Sequence, residues 1–189
     1  MILATAFNAF GSAETNASEI LLNALEENKG VFRVVLPTEY RAAGTQIVRL
    51  IRDVRPEAVV CFGVANGPPT MRLEQLARNW DATDDPDNAG DLRIGQAIIP
   101  EAPNTYRATL PYEAMRIALD ARKIPHVDSD DAGGYVCNHT FFRARHEIAE
   151  SGIGASCGFI HVPPINSPQE FVMFLEAIRI CIQLAASAV

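Results

Sequence analysis

The sequence predicts an α/β fold, a three-layer α/β/α sandwich around a mixed, twisted sheet, formed as a single domain by residues 1–189. Two observations predict it. Short apolar runs alternate with segments whose apolar residues recur at helical spacing, and this pattern is typical of strands that alternate with helices. The apolar runs lack the in-out alternation of half-exposed strands, so helices are expected to cover both faces of the sheet.

The first third of the chain predicts three strands separated by two helices. The strands are the apolar runs at residues 1–7, 31–36 and 58–62. Asn16 is a suitable N-cap for the first helix, residues 17–28. The apolar residues that share one face of that helix are Ile20, Leu21, Ala24 and Leu25. The second helix, residues 41–53, has Ile47, Leu50 and Ile51 at helical spacing.

The middle of the chain, residues 63–104, has no regular pattern and is rich in Pro, Gly, Asp and Asn. Long irregular insertions are often functional, and we expect a few antiparallel strands from this one to make the sheet mixed. Helices and strands alternate again after it. The predicted helices are 111–122, 135–150 and 168–188, and the predicted strands are 124–127 and 156–162.

The composition excludes several classes of partner. The net charge is −7, which argues against a nucleic-acid partner and against binding to anionic lipid. No apolar run approaches the roughly 18 residues of a membrane span. Residues 1–11 lack the features of a signal peptide, and the cysteines form no CxxC pair. We therefore expect reduced thiols, a cytoplasmic protein and a small or peptidic substrate.

Cys137 is the candidate nucleophile because of the residues around it. It follows the flexible turn at 131–134 and lies where a helix begins. The macrodipole and unpaired N–H groups of a first helical turn favour a thiolate over the reference pKa of about 8.5. Gly133 and Gly134 would let a substrate backbone approach and would place N–H groups near an oxyanion. The alternative is a buried structural cysteine, the role that fits Cys61, Cys157 and Cys181.

A cysteine nucleophile needs a general base within reach, and His161 is the best placed of the four histidines. On a helix, His139 and His146 point about 200° and about 180° away from Cys137. His126 has no feature other than its polarity that marks it as a candidate base. His161 ends an apolar strand, and ligand sites in α/β sheets gather at the carboxyl ends of strands. A histidine that merely caps the strand is the alternative.

A metal site is the competing use of these residue types. Cys137, His139, Cys157 and His161 offer enough zinc ligands, but their spacing matches no common zinc pattern. The acidic stretch 81–91 lacks the spacing of a calcium loop and is predicted to be a solvated surface loop. The sequence has neither a Walker loop nor a Rossmann fingerprint. We therefore expect neither a metal nor a cofactor.

Three parts of the chain resemble motifs of the pyroglutamyl peptidase I (pyrrolidone-carboxylate peptidase) family. Residues 129–138, SDDAGGYVCN, resemble its cysteine signature, which ends in A-G-x-[FY]-x-C-[DNS]. Residues 7–11 (FNAFG) and 16–18 (NAS) are similar to its opening motifs, G-F-x-P-F-G and N-P-S. Residues 158–163, GFIHVP, are similar to the segment that holds its catalytic histidine. Order and spacing agree over nearly the whole chain.

The resemblance implies a cysteine exopeptidase that removes N-terminal pyroglutamate from small peptides through a Cys-His-Glu triad and a thioester. Residues 74–79 correspond to the family's E-[KR]-x-A-x-N segment and nominate Glu74 beside Cys137 and His161. Glu74 would orient His161 and stabilise its imidazolium. The resemblance also implies that the pyroglutamyl ring lies against Phe7 and Phe10. It implies a homo-oligomer, either a dimer or a tetramer.

The chain departs from the family pattern at several positions. Ala6 and Ala9 replace a glycine and a proline, which changes the stiffness of a loop. Val64 and Pro68 replace a glutamine and an arginine, and Asp84 falls where arginine is usual. Two alternatives therefore stay open: a relative that hydrolyses another small blocked acyl or lactam amide, and a binding protein with a remnant site.

Overall fold

The computed structural model describes residues 1–187 and confirms the α/β/α fold around a mixed sheet. The strands are β1 (Ile2–Phe7), β2 (Val31–Leu36), β3 (Ala58–Val64), β4 (Met71–Glu74), β5 (Leu76–Arg78), β6 (Asp81–Ala82), β7 (Ile94–Gln96), β8 (Thr105–Arg107), β9 (His126–Ser129) and β10 (Ser156–Val162). The helices are α1 (Ala17–Ala24), α2 (Tyr40–Val54), α3 (Tyr112–Ala121), α4 (Val136–Ser151) and α5 (Pro168–Ser187).

Six strands form the central sheet, in the order β2-β1-β3-β10-β4-β9. The first four run parallel, whereas β4 pairs antiparallel with β10 and parallel with β9. Because β4 comes from the irregular middle of the chain, the prediction that this region makes the sheet mixed is confirmed. The other short strands form two pairs outside the sheet, β5 with β8 and β6 with β7.

Each face of the sheet is covered by its own layer of helices. Helices α1, α3 and α5 pack on one face, and α2 and α4 pack on the other. Side chains alternate between the two cores along each strand. In β10, Phe159 faces the α2–α4 layer and Ile160 faces the opposite one. His161 therefore faces the α2–α4 layer, the layer that carries Cys137.

The strands β2 and β10 have the predicted bounds, β3 extends two residues beyond its predicted end, and α1 and β9 differ more. Helix α1 ends at Ala24 rather than at residue 28, because Glu26 and Glu27 would place negative charge at the negative end of the helix dipole. Its buried face includes Leu21 and Leu22, whereas Ile20, predicted to share the buried face, is 39% exposed.

The strand predicted at 124–127 lies two residues further on, as β9. Pairing with β4 begins between Met71 and His126, while Ile124 is buried in the core beside α3 and α5. Helix α5 is described as far as Ser187. The predicted end of that helix, at residue 188, lies outside the described residues.

The prediction of a solvated surface loop at residues 81–91 holds for residues 84–86 and 88–90, which are exposed, but not for Asp81 and Asp87, which are buried. Oδ2 of Asp81 accepts hydrogen bonds from Nδ1 of His139 and from Nη1 of Arg93, both at 2.8 Å. Oδ2 of Asp87 accepts a 2.8 Å hydrogen bond from the first backbone N–H of α2. Such partners offset the cost of burying a carboxylate, and composition does not reveal them.

The part of the chain that the structure describes contains four free cysteine thiols. Within residues 1–187, no group of three or more His, Cys, Asp or Glu side chains is arranged to hold a metal ion. No helix in this range is both long enough and apolar enough to cross a membrane.

Candidate active site

A cavity at the carboxyl edge of the parallel strands holds the candidate residues. Phe7 ends β1, and Gly63 and His161 each lie one residue before the end of β3 and β10. Cys137 reaches the same place from the first turn of α4. The cavity has a volume of about 380 Å³ and is lined by Phe7, Phe10, Asn16, Thr38, Val64, Ala65, Arg72, Asp131, Ala132, Gly133, Tyr135, Cys137 and His161.

Cys137 is seated in space that a glycine leaves free. A β-carbon at Gly63 would lie 2.8 Å from Sγ of Cys137 and 2.8 Å from Cζ of Phe159. Those distances are too short for any side chain at position 63. Because residue 63 is a glycine, the thiol of Cys137 can lie above β3. The sequence places a glycine directly after an apolar strand, but only the fold shows that a cysteine lies over it.

His161 and Glu74 form a buried pair. Nδ1 of His161 lies 2.7 Å from Oε1 of Glu74, and the two residues are 6% and 0% exposed. In the pairing of β4 with β10, Glu74 lies opposite Phe159, so Glu74 and His161 face the same layer of helices. An ionised carboxylate only accepts hydrogen bonds, so Nδ1 donates and Nε2 is left free to accept a proton.

The expectation that the first helical turn favours a thiolate is wrong for the resting site. Burial, followed by the nearby charge of Glu74, raises the pKa of the Cys137 thiol to about 12. Desolvation disfavours a charged sulfur by more than the helix terminus favours it. The thiol therefore needs a base to remove its proton at neutral pH, and His161 shares the cavity with it.

Gly133 and Gly134 have different surroundings. Gly133 lines the cavity with a φ of +83°, and its N–H donates to Oδ1 of Asp131 at 3.0 Å. Gly134 packs against the backbone of Ala82, whose N–H donates to the Gly134 carbonyl at 3.0 Å. The N–H of Gly133 is thus already engaged, and the first backbone N–H groups of α4 are the better placed donors for an oxyanion.

The two phenylalanines implied as a ring-binding wall both line the cavity. Phe7 is 2% exposed, and its ring lies 6.3 Å from that of Phe159, so it also belongs to the core. Phe10 is half-buried, with its ring 5.8 Å from the ring of Tyr135. The structure thus adds Tyr135 to the aromatic wall. In the sequence, Tyr135 was visible only as a residue of the cysteine motif.

Three of the noted departures from the family pattern, at Val64, Pro68 and Asp84, lie in different environments. Val64 is part of the cavity wall. Pro68 and Asp84 are exposed and do not line the cavity. Of these three substitutions, only the one at Val64 changes the surface that a ligand in the cavity would touch.

A helix-borne cysteine and a carboxylate-bound histidine in one cavity of an α/β sheet are the components of a cysteine peptidase. The model of the pyroglutamyl peptidase family matches residues 1–187. The chain therefore belongs to the pyroglutamyl peptidase family, and the resemblance of its motifs is confirmed.

Individual relatives agree with this assignment. The chain is 35% identical to a pyrrolidone-carboxylate peptidase of Thermococcus kodakarensis, in an alignment that covers 100% of this chain and 95% of the relative. It is 32% identical to the enzyme of that name from Bacillus cereus strain Q1, over 97% and 90% of the two chains.

A solved structure of a mutant pyrrolidone carboxyl peptidase from Pyrococcus furiosus superposes with a TM-score of 0.92. The two proteins are 29% identical, and the match covers 100% of this chain and 99% of that one.

Proposed function

We propose that this chain is a cysteine omega-peptidase that hydrolyses the N-terminal pyroglutamyl residue from small peptides. The observation that carries the proposal is the 2.7 Å contact between His161 and Glu74, in a cavity that Cys137 also lines. The names of the relatives support the same substrate. Cys137 is the nucleophile, His161 the general base and acid, and Glu74 the residue that orients His161.

The reaction proceeds as two acyl transfers. Nε2 of His161 removes the proton from Sγ of Cys137, and the thiolate attacks the carbonyl carbon that joins pyroglutamate to the next residue. Backbone N–H groups at the start of α4 donate to the oxyanion. His161 then protonates the leaving amine as the C–N bond breaks. Water, deprotonated by His161, attacks the resulting thioester and releases pyroglutamate and the free thiol.

The cavity suits a small uncharged ring. Phe7, Phe10 and Tyr135 supply apolar walls, and about 380 Å³ is the volume of a small-ligand site. A pyroglutamyl ring is a lactam without a charged amine, so apolar walls impose no cost of ion desolvation. Asn16 and Thr38 also line the cavity, but both side chains donate to the carbonyl of Asn8, and Asn16 also caps α1. The ring amide is therefore left to backbone groups.

The cellular setting belongs to the proposal. Four free thiols among the described residues suit the reducing cytoplasm. We also propose that residues 1–189 act as one domain in a homo-oligomer, a dimer or tetramer. Trp80, Leu92 and Ile94, on and next to the β6–β7 pair, are 51%, 49% and 84% exposed and are candidates for the contact. A monomer at micromolar concentration in light scattering would contradict the oligomer.

A panel of fluorogenic amides tests the substrate. Pyroglutamyl, prolyl and acetylalanyl aminomethylcoumarin share a leaving group but differ in the acyl group. The prolyl compound has a ring of the same size with a charged amine, and the acetylalanyl compound is blocked but acyclic. We expect kcat/KM for the pyroglutamyl compound to exceed both of the others by about 10²-fold or more. Preference for the acetylated compound would instead support the alternative of a relative for another blocked amide.

A further inference from the structure

Arg72 brings a positive charge into the candidate active site. In the pairing of β4 with β10, Arg72 lies directly opposite His161. Opposite residues of antiparallel strands project from the same face, with β-carbons about 4.5–5.5 Å apart. Both side chains line the cavity together with Cys137. The guanidinium is therefore part of the wall that a bound substrate faces.

The guanidinium has N–H groups left for a ligand. Nη2 of Arg72 donates to the carbonyl of Asn66 at 3.0 Å. Gly67 allows this approach, since a β-carbon there would lie 3.1 Å from Nη2. In residues 1–187, no carboxylate forms an ion pair with Arg72. An arginine has five N–H donors, so most of those on Arg72 remain unused.

The acidic side chain in the cavity wall is already engaged elsewhere. Asp131 lies 3.2 Å from Nη1 of Arg78 and accepts the N–H of Gly133 at 3.0 Å. Its charge is thus balanced by an arginine that does not line the cavity. Arg72 is half-buried and has no such partner, so its charge and its remaining N–H groups are available to a ligand that enters the cavity.

A carboxylate is the ligand that this arrangement fits. A guanidinium binds a carboxylate through paired N–H donors, whereas the pyroglutamyl ring has no charge for Arg72 to bind. We infer that Arg72 binds a carboxylate on the residue that follows pyroglutamate, and that it thereby makes the enzyme favour substrates which carry one. The carboxylate is either the free α-carboxylate of a dipeptide or the side chain of an acidic residue. The inference rests on the proposed function.

Two matched pairs of substrates test the inference through ratios of kcat/KM. The first pair is pyroglutamyl-alanine and its amide. The second is pyroglutamyl-glutamate amide and pyroglutamyl-glutamine amide. We expect at least one acid-to-neutral ratio of about tenfold in the wild type, the effect of one partly exposed hydrogen bond between charged groups. A preference in the first pair alone indicates the α-carboxylate, and a preference in the second alone indicates an acidic side chain.

Three variants test whether the acid-to-neutral ratio of kcat/KM depends on the side chain of Arg72. In Arg72→Gln the ratio should fall to about one, and a ratio cancels any uniform loss of turnover. Arg72→Lys should keep part of the preference, because the charge remains without the paired donors. Arg49→Gln is the matched control, since Arg49 has an 81% exposed side chain on α2 and does not line the cavity. It should keep the wild-type ratio.

The outcomes separate this inference from the proposed function. A wild type that cleaves pyroglutamyl substrates with acid-to-neutral ratios near one or below overturns the inference alone, whatever the variants do. An unchanged ratio in Arg72→Gln overturns it too. A wild type that cleaves no pyroglutamyl substrate overturns the proposed function and the inference with it.

Discussion

Replacement of Cys137 by alanine is expected to lower kcat/KM for pyroglutamyl aminomethylcoumarin by about 10⁵- to 10⁶-fold, as loss of a nucleophile does in other peptidases. Without the sulfur no thioester forms, and only the contacts of the cavity remain. Cys137→Ser, which keeps the size of the side chain closer, should lose nearly as much because His161 must then activate a much weaker acid. Release of the coumarin is followed by fluorescence, and folding by thermal denaturation.

Cys181 offers a matched control for that experiment. It is fully buried among α1, α3 and α5, on the face of the sheet opposite the cavity. Cys181→Ala should lower the melting temperature but leave kcat/KM near the wild-type value. Full activity in Cys137→Ala would refute the assignment. Cys137 lines the cavity whereas Cys61 and Cys157 are fully buried, so iodoacetamide should alkylate Cys137 first as the pH is raised. Equal rates for the three cysteines would favour the alternative of a remnant binding site.

Replacement of Glu74 by glutamine is expected to lower kcat by about 10³- to 10⁴-fold, with a smaller change in KM. The carboxylate holds Nδ1–H of His161 at 2.7 Å and keeps Nε2 ready to take the thiol proton. An amide can present its NH₂ group to Nδ1 instead, which would place the ring proton on Nε2. The substitution also removes the negative charge that stabilises the imidazolium of His161. Stopped-flow and steady-state measurements of kcat and KM test the prediction.

A second buried carboxylate supplies the control for Glu74. Glu147 is 6% exposed and binds Arg52 through two hydrogen bonds of 2.7 and 2.8 Å, away from the cavity. Glu147→Gln should keep kcat within about twofold, and it should cost little stability because Arg52 is largely exposed. Equal losses of kcat in both variants would show that Glu74 acts through stability rather than through His161.

Much of the fold was predictable because the four parallel strands of its sheet are mainly apolar, unlike β4 (MRLE) and β9 (HVDS). Strands β2 and β10 were predicted with their observed bounds. Their local sequence was sufficient for this, without knowledge of the strands with which they pair. Cys137 and His161 were also nominated as candidates from local patterns, a thiol at a helix start and an imidazole at a strand end. The structure brings both into one cavity on the same face of the sheet.

Glu74 could not have been found in that way. It lies next to His161 only because β4, a short strand from the irregular middle of the chain, pairs antiparallel with β10. No pattern in residues 63–104 predicted that strand, so the choice among the acidic residues depended on the family motif. The burial of Asp81 and Asp87 was missed for the same reason, since their partners lie in distant segments or in backbone N–H groups.

The raised pKa of Cys137 has a consequence for the protein between turnovers. Peroxide and related oxidants react with the thiolate form of cysteine. Burial raises the pKa of the Cys137 thiol to about 12. Without a bound substrate the thiol therefore stays protonated at neutral pH, and it resists oxidation to sulfenic acid. Inactivation by hydrogen peroxide should therefore be slow at pH 7 and accelerate steadily toward pH 10, whereas a sulfur already ionised at pH 7 would show no such rise. The Cys137 sulfur therefore stays unreactive toward oxidants until a peptide binds.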